Sequence, residues 1–131
     1  MFSTKGRYAL RVMIDLAQQH SDGFVPLKDI ADRQGISKKY LEIIAKELVK
    51  GKLLLGASGK HGGYRLARKP EEYSIGEIIE LMEGSMAPVA CLTPDAEPCP
   101  RRDVCRTLPM WEEFYGMERD FFHNKKLSDL A

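Results

Sequence analysis

The spacing of apolar residues predicts three helices in the N-terminal part of the chain. The first covers about residues 4–19, a second short helix begins at Pro26, and a third extends from its N-cap Ser37 to about Lys50. Gly35 marks the tight turn between the second helix and the third. The i, i+3, i+4, i+7 pattern predicts a buried face on the third helix that consists of Leu41, Ile44, Ala45 and Leu48.

A β-hairpin and a fourth helix follow. Two short apolar runs, residues 53–55 and 64–67, are separated by eight residues, of which four are glycine. Because glycine adopts positive φ values without steric cost, this segment predicts a hairpin with a long, glycine-rich tip. Ser74 and Glu77 then fit a capping box, which predicts a short helix that ends at Gly84 and packs behind the hairpin.

The remainder of the chain consists of an irregular loop and a last helix. Residues 85–108 contain four prolines, all three cysteines and no periodic pattern, which is typical of a functional or disordered loop. The last helix is predicted from Pro109 to about His123, and its aromatic surface exceeds what so small a domain can cover. We therefore expect a dimer interface on this helix, formed by Trp111, Phe114, Tyr115, Phe121 and Phe122.

This order of elements predicts a mostly α-helical fold with a small β-hairpin wing. It is the order of a winged helix-turn-helix, here followed by a long C-terminal dimerisation helix. We expect residues 1–84 to form the DNA-binding domain and residues 85–108 to form a cysteine-bearing sensor loop. Residues 109–131 are expected to form the dimerisation helix and its tail.

Charge is distributed unevenly along the chain, although the net charge at pH 7 is only +1. Residues 1–70 carry fourteen Lys or Arg and six Asp or Glu, a net charge of +8. Residues 71–131 carry six and thirteen, a net charge of −7. The basic half suits a polyanion such as DNA, and the acidic half suits subunit pairing or sensing. The alternative is that both halves carry solvated charge only.

Hydropathy and the N-terminal residues indicate where the protein acts. No stretch reaches the roughly 18 apolar residues of a membrane span, so we expect no membrane partner. The N-terminal segment carries Lys5, Arg7 and Arg11 within an amphipathic pattern and has no apolar signal-peptide region. These features predict a cytoplasmic protein.

The third predicted helix has a polar face opposite its apolar one. At about 100° per residue this face comprises Lys39, Glu42, Ile43, Lys46 and Lys50. The second helix of a helix-turn-helix enters the major groove, and its first residues lie nearest the bases. The predicted base readers are therefore Lys38, Lys39, Glu42 and Ile43. Lys46 and Lys50 are expected nearer to phosphates. The Glu42 carboxylate can accept a hydrogen bond from a cytosine amino group and disfavour other bases.

Basic residues of the hairpin and the first helix extend this predicted surface. Lys60 and His61 project from the tip, and together with Arg65 they suit contacts with phosphates or the minor groove. Lys5 and Arg7 complete the predicted DNA-binding set. A lysine-rich helix face is in itself more often a solvated surface, and a single loop histidine is more often simply exposed. The hairpin directly after the helical pair favours DNA binding.

Three segments of the chain carry a resemblance to a known protein family. They read STKGRYALRVMIDLA, IADRQGISKKYLEIIAKEL and GGYRLARKPEEYSIGEIIELMEG. Together with the later cysteines, they resemble the bacterial winged-helix regulators typified by IscR, NsrR and CymR. The resemblance extends from residue 3 to about residue 123. It implies a homodimer that crosses its long C-terminal helices and binds a partly palindromic operator in double-stranded DNA.

Cys91, Cys99 and Cys105 give the pattern C-x7-C-x5-C. An odd number of cysteines in a cytosolic protein argues against a disulfide framework and favours metal binding or thiol chemistry. Soft thiolates select zinc, copper(I) or iron-sulfur clusters. The resemblance implies an iron-sulfur cluster, either 2Fe-2S or 4Fe-4S, on these three residues. Inert or redox-switching thiols and a zinc site are the alternatives.

The cysteine pattern departs from that of the family in its spacing and in the fourth ligand. The first two cysteines are farther apart than the five intervening residues typical of cluster-binding members. Such members complete the ligand set with a histidine close after the third cysteine or with an N-terminal aspartate. This chain has Thr107 in the first region and Arg7 and Tyr8 in the second. The fourth ligand is open among Asp95, Glu97, Asp103, a histidine and a residue of the other subunit.

We expect a DNA-binding transcriptional regulator, acting as a repressor, that senses iron-sulfur, redox or nitrosative state through its cysteine loop. The first alternative is a cluster-free regulator of the same fold that responds through thiols or a partner protein. The second is an iron-sulfur carrier or scaffold without DNA binding, which a salt-dependent DNA shift would separate from a regulator. No enzyme is expected, since no nucleophile with a paired base, P-loop or dinucleotide fingerprint occurs.

Overall fold

The computed structural model describes residues 1–131. Its elements are, in chain order, α1 (Thr4–Gln19), α2 (Leu27–Gln34), α3 (Lys38–Lys50), β1 (Leu54–Ala57), β2 (Gly63–Leu66), α4 (Ile75–Glu83) and α5 (Leu108–His123). Short 3-10 turns occur at Pro70–Glu72, Ala90–Leu92, Arg102–Val104 and Leu127–Asp129. The mostly α-helical architecture with one hairpin agrees with the prediction. None of the helices combines the length and the apolar character that crossing a membrane requires.

Side-chain caps determine where α3 and α4 begin. Ser37 Oγ accepts a hydrogen bond at 3.2 Å from the backbone N–H three residues later, as predicted. Ser74 and Glu77 form the predicted capping box, each side chain accepting from the other's backbone N–H at 3.1 and 3.0 Å. Two other boundaries differ by one residue from the prediction. Pro26 is the N-cap of α2 rather than its first residue, and α5 begins just before Pro109.

One core joins α1, α2, α3 and α4. The predicted inner face of α3 is confirmed, and each of its residues is at most 1% exposed: Leu41, Ile44, Ala45 and Leu48. Burial of these four side chains, at about 1.5–3 kcal/mol for each large one, fixes the rotation of α3 about its axis. The opposite face of the helix therefore points away from the domain.

Tyr73 connects the wing to the core. Its side chain is completely buried, and its hydroxyl donates a hydrogen bond to the carbonyl oxygen of Leu53 at 2.6 Å. The Tyr73 hydroxyl oxygen in turn accepts hydrogen bonds from the backbone N–H groups of Ala67 and Arg68 at 2.8 and 3.0 Å. One phenol thus ties the residue before β1 to the residues after β2.

The wing is a two-stranded antiparallel hairpin with one additional bridge. Its register places Ala57 opposite Gly63, so the tip is residues 58–62 and is shorter than predicted. Val25 exchanges two backbone hydrogen bonds of 2.8 and 2.9 Å with Tyr64, which attaches the segment before α2 to the hairpin. Gly63 has φ of 143°, and a Cβ at this position would collide with the Val25 backbone. This close approach requires glycine.

The last turn of α2 is attached to α1 by a polar network. Asp15 of α1 is 1% exposed, and its carboxylate accepts hydrogen bonds from the side chains of Arg33 and Gln34. Arg11, one turn earlier on α1, donates to both the backbone carbonyl and the side-chain oxygen of Gln34. Arg11 is half-buried because α2 packs across that side of α1.

The C-terminal end of α5 packs against α4, and the tail returns to the core. The ring of His123 lies so close to Gly76 that a Cβ there would be 2.7 Å from it, and His123 Nε2 is 3.0 Å from Glu80 Oε1. Leu127 is fully buried, and its N–H donates to the carbonyl of Tyr73 at 3.1 Å. No residue of α5 itself is buried. The division of the chain at residues 84 and 108 stays a prediction.

Candidate nucleic-acid interface and cysteine loop

The polar face of α3 is open to solvent along its whole length. All six residues that the sequence proposes as DNA contacts on this helix are exposed: Lys38, Lys39, Glu42, Ile43, Lys46 and Lys50. Ile43 is 50% exposed although it is apolar and lies among lysines. An exposed aliphatic side chain of this kind suits contact with a thymine methyl group. The helix therefore presents cations, one carboxylate and one apolar group on a single surface.

The wing separates its basic residues into two groups. Lys60 and His61 are exposed at the tip, between Gly59 and the second strand. Arg65 points elsewhere, because its Nη1 donates to the backbone carbonyl of Asp22 at 3.1 Å and its guanidinium lies 4.8 Å from the centre of the Phe24 ring. Arg65 thus supports the wing against the α1–α2 connection. Its predicted DNA contact stays a prediction.

The two basic residues proposed on α1 differ in their surroundings. Lys5 Nζ is 3.1 Å from Glu47 Oε1, an ion pair that joins α1 to α3. Arg7 is exposed and donates a hydrogen bond to Thr4 Oγ1 at 3.3 Å. Because Lys5 is already paired with a carboxylate, Arg7 is the freer of the two for a phosphate contact.

The aromatic residues of α5 lie on two adjacent faces. Trp111, Tyr115 and Phe122 are half-buried, and the last two pack against the core of their own chain. Phe114 and Phe121 are 48% and 58% exposed. Together with Met110 and Met117 they form an apolar stripe along the helix, here called the α5 stripe. The two methionines were not part of the dimer interface predicted from the sequence. Spacing of i, i+4, i+7 and i+11 is typical of the contact seam between two helices.

An unpaired carboxyl group lies beside the α5 stripe. Glu118 Oε2 is buried and has no hydrogen-bond partner, and burial raises the pKa of this group. Glu118 and Phe114 line a cavity of about 310 Å³ together with the N-terminal residues and residues 85–88. No sequence signal distinguishes Glu118 from the other acidic residues of the helix.

The three cysteines are free thiols in the loop between α4 and α5. Cys91 and Cys99 are exposed and Cys105 is half-buried. Hydrogen bonds from the Thr107 hydroxyl and from the backbone of Thr107 and Leu108 lower the pKa of the Cys105 thiol. Three thiols are a donor set that suits an iron-sulfur cluster. However, no three His, Cys, Asp or Glu side chains are grouped closely enough to hold a metal ion.

Comparison with known proteins identifies the family. The family model Rrf2, described as an iron-dependent transcriptional regulator, matches residues 2–131. The chain belongs to the Rrf2 family. Protein rrf2 of Nitratidesulfovibrio vulgaris is 42% identical over 112 residues, which cover 85% of this chain and 73% of that protein. The HTH-type transcriptional regulator IscR of Pectobacterium atrosepticum is 36% identical over 129 residues, or 98% of this chain and 77% of IscR.

A solved structure confirms the fold of this Rrf2-family chain. CymR, the global cysteine regulator of B. subtilis, superimposes with a TM-score of 0.79 at 35% identity, covering 100% of this chain and 95% of CymR. The predicted winged helix-turn-helix fold and the resemblance to the IscR and CymR regulators are therefore confirmed. The protein is a DNA-binding transcriptional regulator. The individual contact residues stay predictions.

Proposed function

We propose that this Rrf2-family regulator binds a partly palindromic operator as a homodimer and that its cysteine loop adjusts the binding affinity. The observation that carries the proposal is the exposed, lysine-rich face of α3 opposite a face that is entirely buried. In winged helix-turn-helix proteins the corresponding helix enters the major groove. In this proposal the chain acts by binding and has no catalytic step.

The first turns of α3 are the proposed base readers. Lys38, Lys39, Glu42 and Ile43 lie in the first two turns of the helix, where side chains reach base edges. Lys46 and Lys50 lie farther along and are assigned to phosphates, which fix the register of the protein on the duplex without reading sequence. The wing tip, with Lys60 and His61, is assigned to the flanking backbone or the minor groove.

Selection from a pool of random duplexes tests these assignments. Lys46→Ala should weaken binding to all duplexes alike and lower the slope of log affinity against log salt by about one, because a phosphate contact carries no base information. Lys126→Ala is the matched control, since Lys126 is exposed on the tail beyond α5. Glu42→Ala should broaden the selected sequence. An unchanged selected sequence would contradict the proposed role of Glu42.

The α5 stripe is the proposed dimer interface. Its four large apolar side chains are exposed on one chain, and contiguous exposed apolar surface of this kind marks a protein interface. Two copies joined there would present two α3 helices, as a palindromic operator requires. Sedimentation as a monomer at micromolar concentration, together with normal operator binding, would contradict this arrangement.

The cysteine loop is the proposed sensor. Cys91, Cys99 and Cys105 are not grouped in this structure and would have to come together as the protein ligands of an iron-sulfur cluster. The same residues would act as redox-switching thiols if no cluster binds. When bound, a cluster would bring redox chemistry to the loop. The loop is suited to this role because it joins α4, which packs against α1, to α5, so a change in the loop conformation can reach both helices.

Anaerobic reconstitution with iron and sulfide tests the cluster directly. Visible absorption and the loss of titratable thiols should appear together, and replacing any one cysteine with alanine should abolish the absorption. Thr93→Ala, in the same loop, is the control and should leave it intact. Reconstituted and untreated protein should then differ in operator affinity by about 5- to 150-fold, the usual range of allosteric coupling. Colourless protein with all thiols titratable would exclude the cluster and leave the thiol alternative.

A further inference from the structure

Asp15 is the only charged residue of this chain that is buried as a whole. Its Oδ1 accepts a hydrogen bond from Arg33 Nη2 at 2.8 Å, and its Oδ2 accepts from Arg33 Nε at 3.1 Å. The side-chain amide of Gln34 also donates to Oδ2, at 2.9 Å. Both partners are the final residues of α2. One carboxylate on α1 therefore holds the end of the first helix of the helix-turn-helix.

Stability alone does not account for a carboxylate at this position. Removing an ion from water costs several kcal/mol, and an apolar pair of similar volume is often neutral or stabilising in place of a buried ion pair. Arg33 is 37% exposed, so water screens the pair further. What the ion pair adds over an apolar contact is direction, because two hydrogen bonds to a planar guanidinium fix both distance and orientation.

The orientation fixed by Asp15 is passed to α3 over a very short connection. Three residues, 35–37, separate the end of α2 from the beginning of α3. Gly35 ends α2 in the left-handed conformation with φ of 65°, and Ile36 is buried. With α2, the turn and the core contacts fixed, little freedom is left in the first turn of α3. The proposed base readers Lys38 and Lys39 lie on that turn, and Glu42 and Ile43 lie on the next.

A small error in this orientation matters for reading bases. With 13 residues, α3 is about 20 Å long, so a tilt of about 3° displaces one end by about 1 Å relative to the other. Recognition requires placement within about 0.5 Å. Phosphate contacts by long lysine side chains tolerate such a shift, whereas bidentate contacts with base edges do not.

We propose that Asp15 is a positioning residue for sequence-specific DNA recognition, which acts by fixing Arg33 and Gln34 and thereby the angle at which α3 meets the bases. This inference rests on the proposed role of α3 as the reading helix. Loss of the network should lower discrimination between sequences more than it lowers general affinity for DNA. Asp15 itself is buried and touches no DNA.

Two variants separate positioning from a purely structural role. Asp15→Asn keeps the size of the side chain and removes its charge. The double variant Asp15→Leu with Arg33→Met replaces the ion pair with an apolar contact and is expected to unfold at the same temperature as wild type or higher. Arg119→Met is the control, because it removes an ion pair between α5 and Glu80 of α4, outside the helix-turn-helix.

The measurement is the ratio of dissociation constants for two duplexes, one carrying the sequence that the wild-type chain selects and one with that sequence scrambled. Both variants should lower the ratio at least about tenfold, equivalent to about 1.4 kcal/mol. In both variants, the affinity for the scrambled duplex and the dependence of that affinity on salt should equal those of wild type. The control Arg119→Met should keep the wild-type ratio. If the double variant folds and keeps the wild-type ratio, the positioning role is wrong. If the wild-type protein shows no preference between the two duplexes, the proposed base-reading role of α3 is wrong. This outcome differs from the previous one, in which only the positioning role of Asp15 is wrong.

Discussion

Tyr73→Phe is a sharp perturbation of this structure, because it removes one oxygen atom and leaves the packing of the ring in place. The lost hydroxyl makes three hydrogen bonds, one donated to the Leu53 carbonyl and two accepted from Ala67 and Arg68. The expected consequence is a less stable domain with a looser wing.

The magnitude follows from the burial of the three partners. Leu53 is 5% exposed, so its carbonyl would be left without a partner, at about 1–3 kcal/mol. Ala67 and Arg68 are half-buried, and water can replace part of their lost hydrogen bonds. We therefore expect a total of about 2–4 kcal/mol. For 131 residues the entropy of unfolding is about 0.28 kcal/mol/K, so the unfolding midpoint should fall by about 7–14 °C.

Thermal unfolding followed by circular dichroism measures this change in midpoint. A titration with operator DNA measures whether the looser wing weakens DNA binding. Tyr115→Phe is the matched control, since it removes a hydroxyl from a half-buried tyrosine of α5. That variant should unfold close to the wild-type temperature. A Tyr73→Phe midpoint within about 3 °C of wild type would refute the reasoning, because less than about 1 kcal/mol would then depend on the hydroxyl.

Three further substitutions probe other parts of the molecule. Phe114→Ala should weaken the dimer by about 2 kcal/mol or more. Sedimentation measures this change, with the neighbouring exposed Glu113→Ala as control. Equal dimer stability of the two variants would contradict the α5 stripe as the interface. Burial opposes the charge of Glu77, but hydrogen bonds from Arg68 and the Ser74 backbone outweigh burial and lower the pKa of its carboxyl below the usual value for glutamate. The Glu77 carboxylate thus contributes fully to the free energy of unfolding at neutral pH, and this contribution is lost as the pH falls through the lowered pKa. Glu77→Gln should therefore destabilise the protein at pH 7 and leave its stability unchanged in strong acid. A difference in stability that does not depend on pH would refute this role of the carboxylate. Gly63→Ala should break the Val25–Tyr64 bridge, and unchanged hydrogen-exchange protection of those two N–H groups would show otherwise.

The elements that sequence predicts well here are those specified by residues close together in the chain. The inner face of α3 follows from apolar spacing within one helix, and the capping box at Ser74 needs only the residue three positions later. Such local signals act before tertiary structure forms. They were sufficient to identify the helix-turn-helix and the wing.

The features that sequence did not predict depend on how distant segments meet. Leu127 is one apolar residue in a polar tail, and nothing near it in the chain indicates that it enters the core. Asp15 interrupts an apolar helix face, and its partners lie on another helix. Likewise, the division of the α5 aromatics between Phe114 outside and Phe122 inside depends on the rotation at which α5 docks on α4, which no local pattern specifies.

The way α5 is attached has a mechanical consequence. His123 and the returning tail hold the helix at its C-terminal end, while Leu108 and Trp111 of its first turn are only half-buried. With 16 residues, the helix is about 24 Å long, so a swing of about 10° about the held end carries the first turn through about 4 Å. Cys105 lies just before that turn. Under the proposed sensing role, the loop acts at the end of α5 farthest from its attachment, where a given force exerts the largest turning moment on the helix.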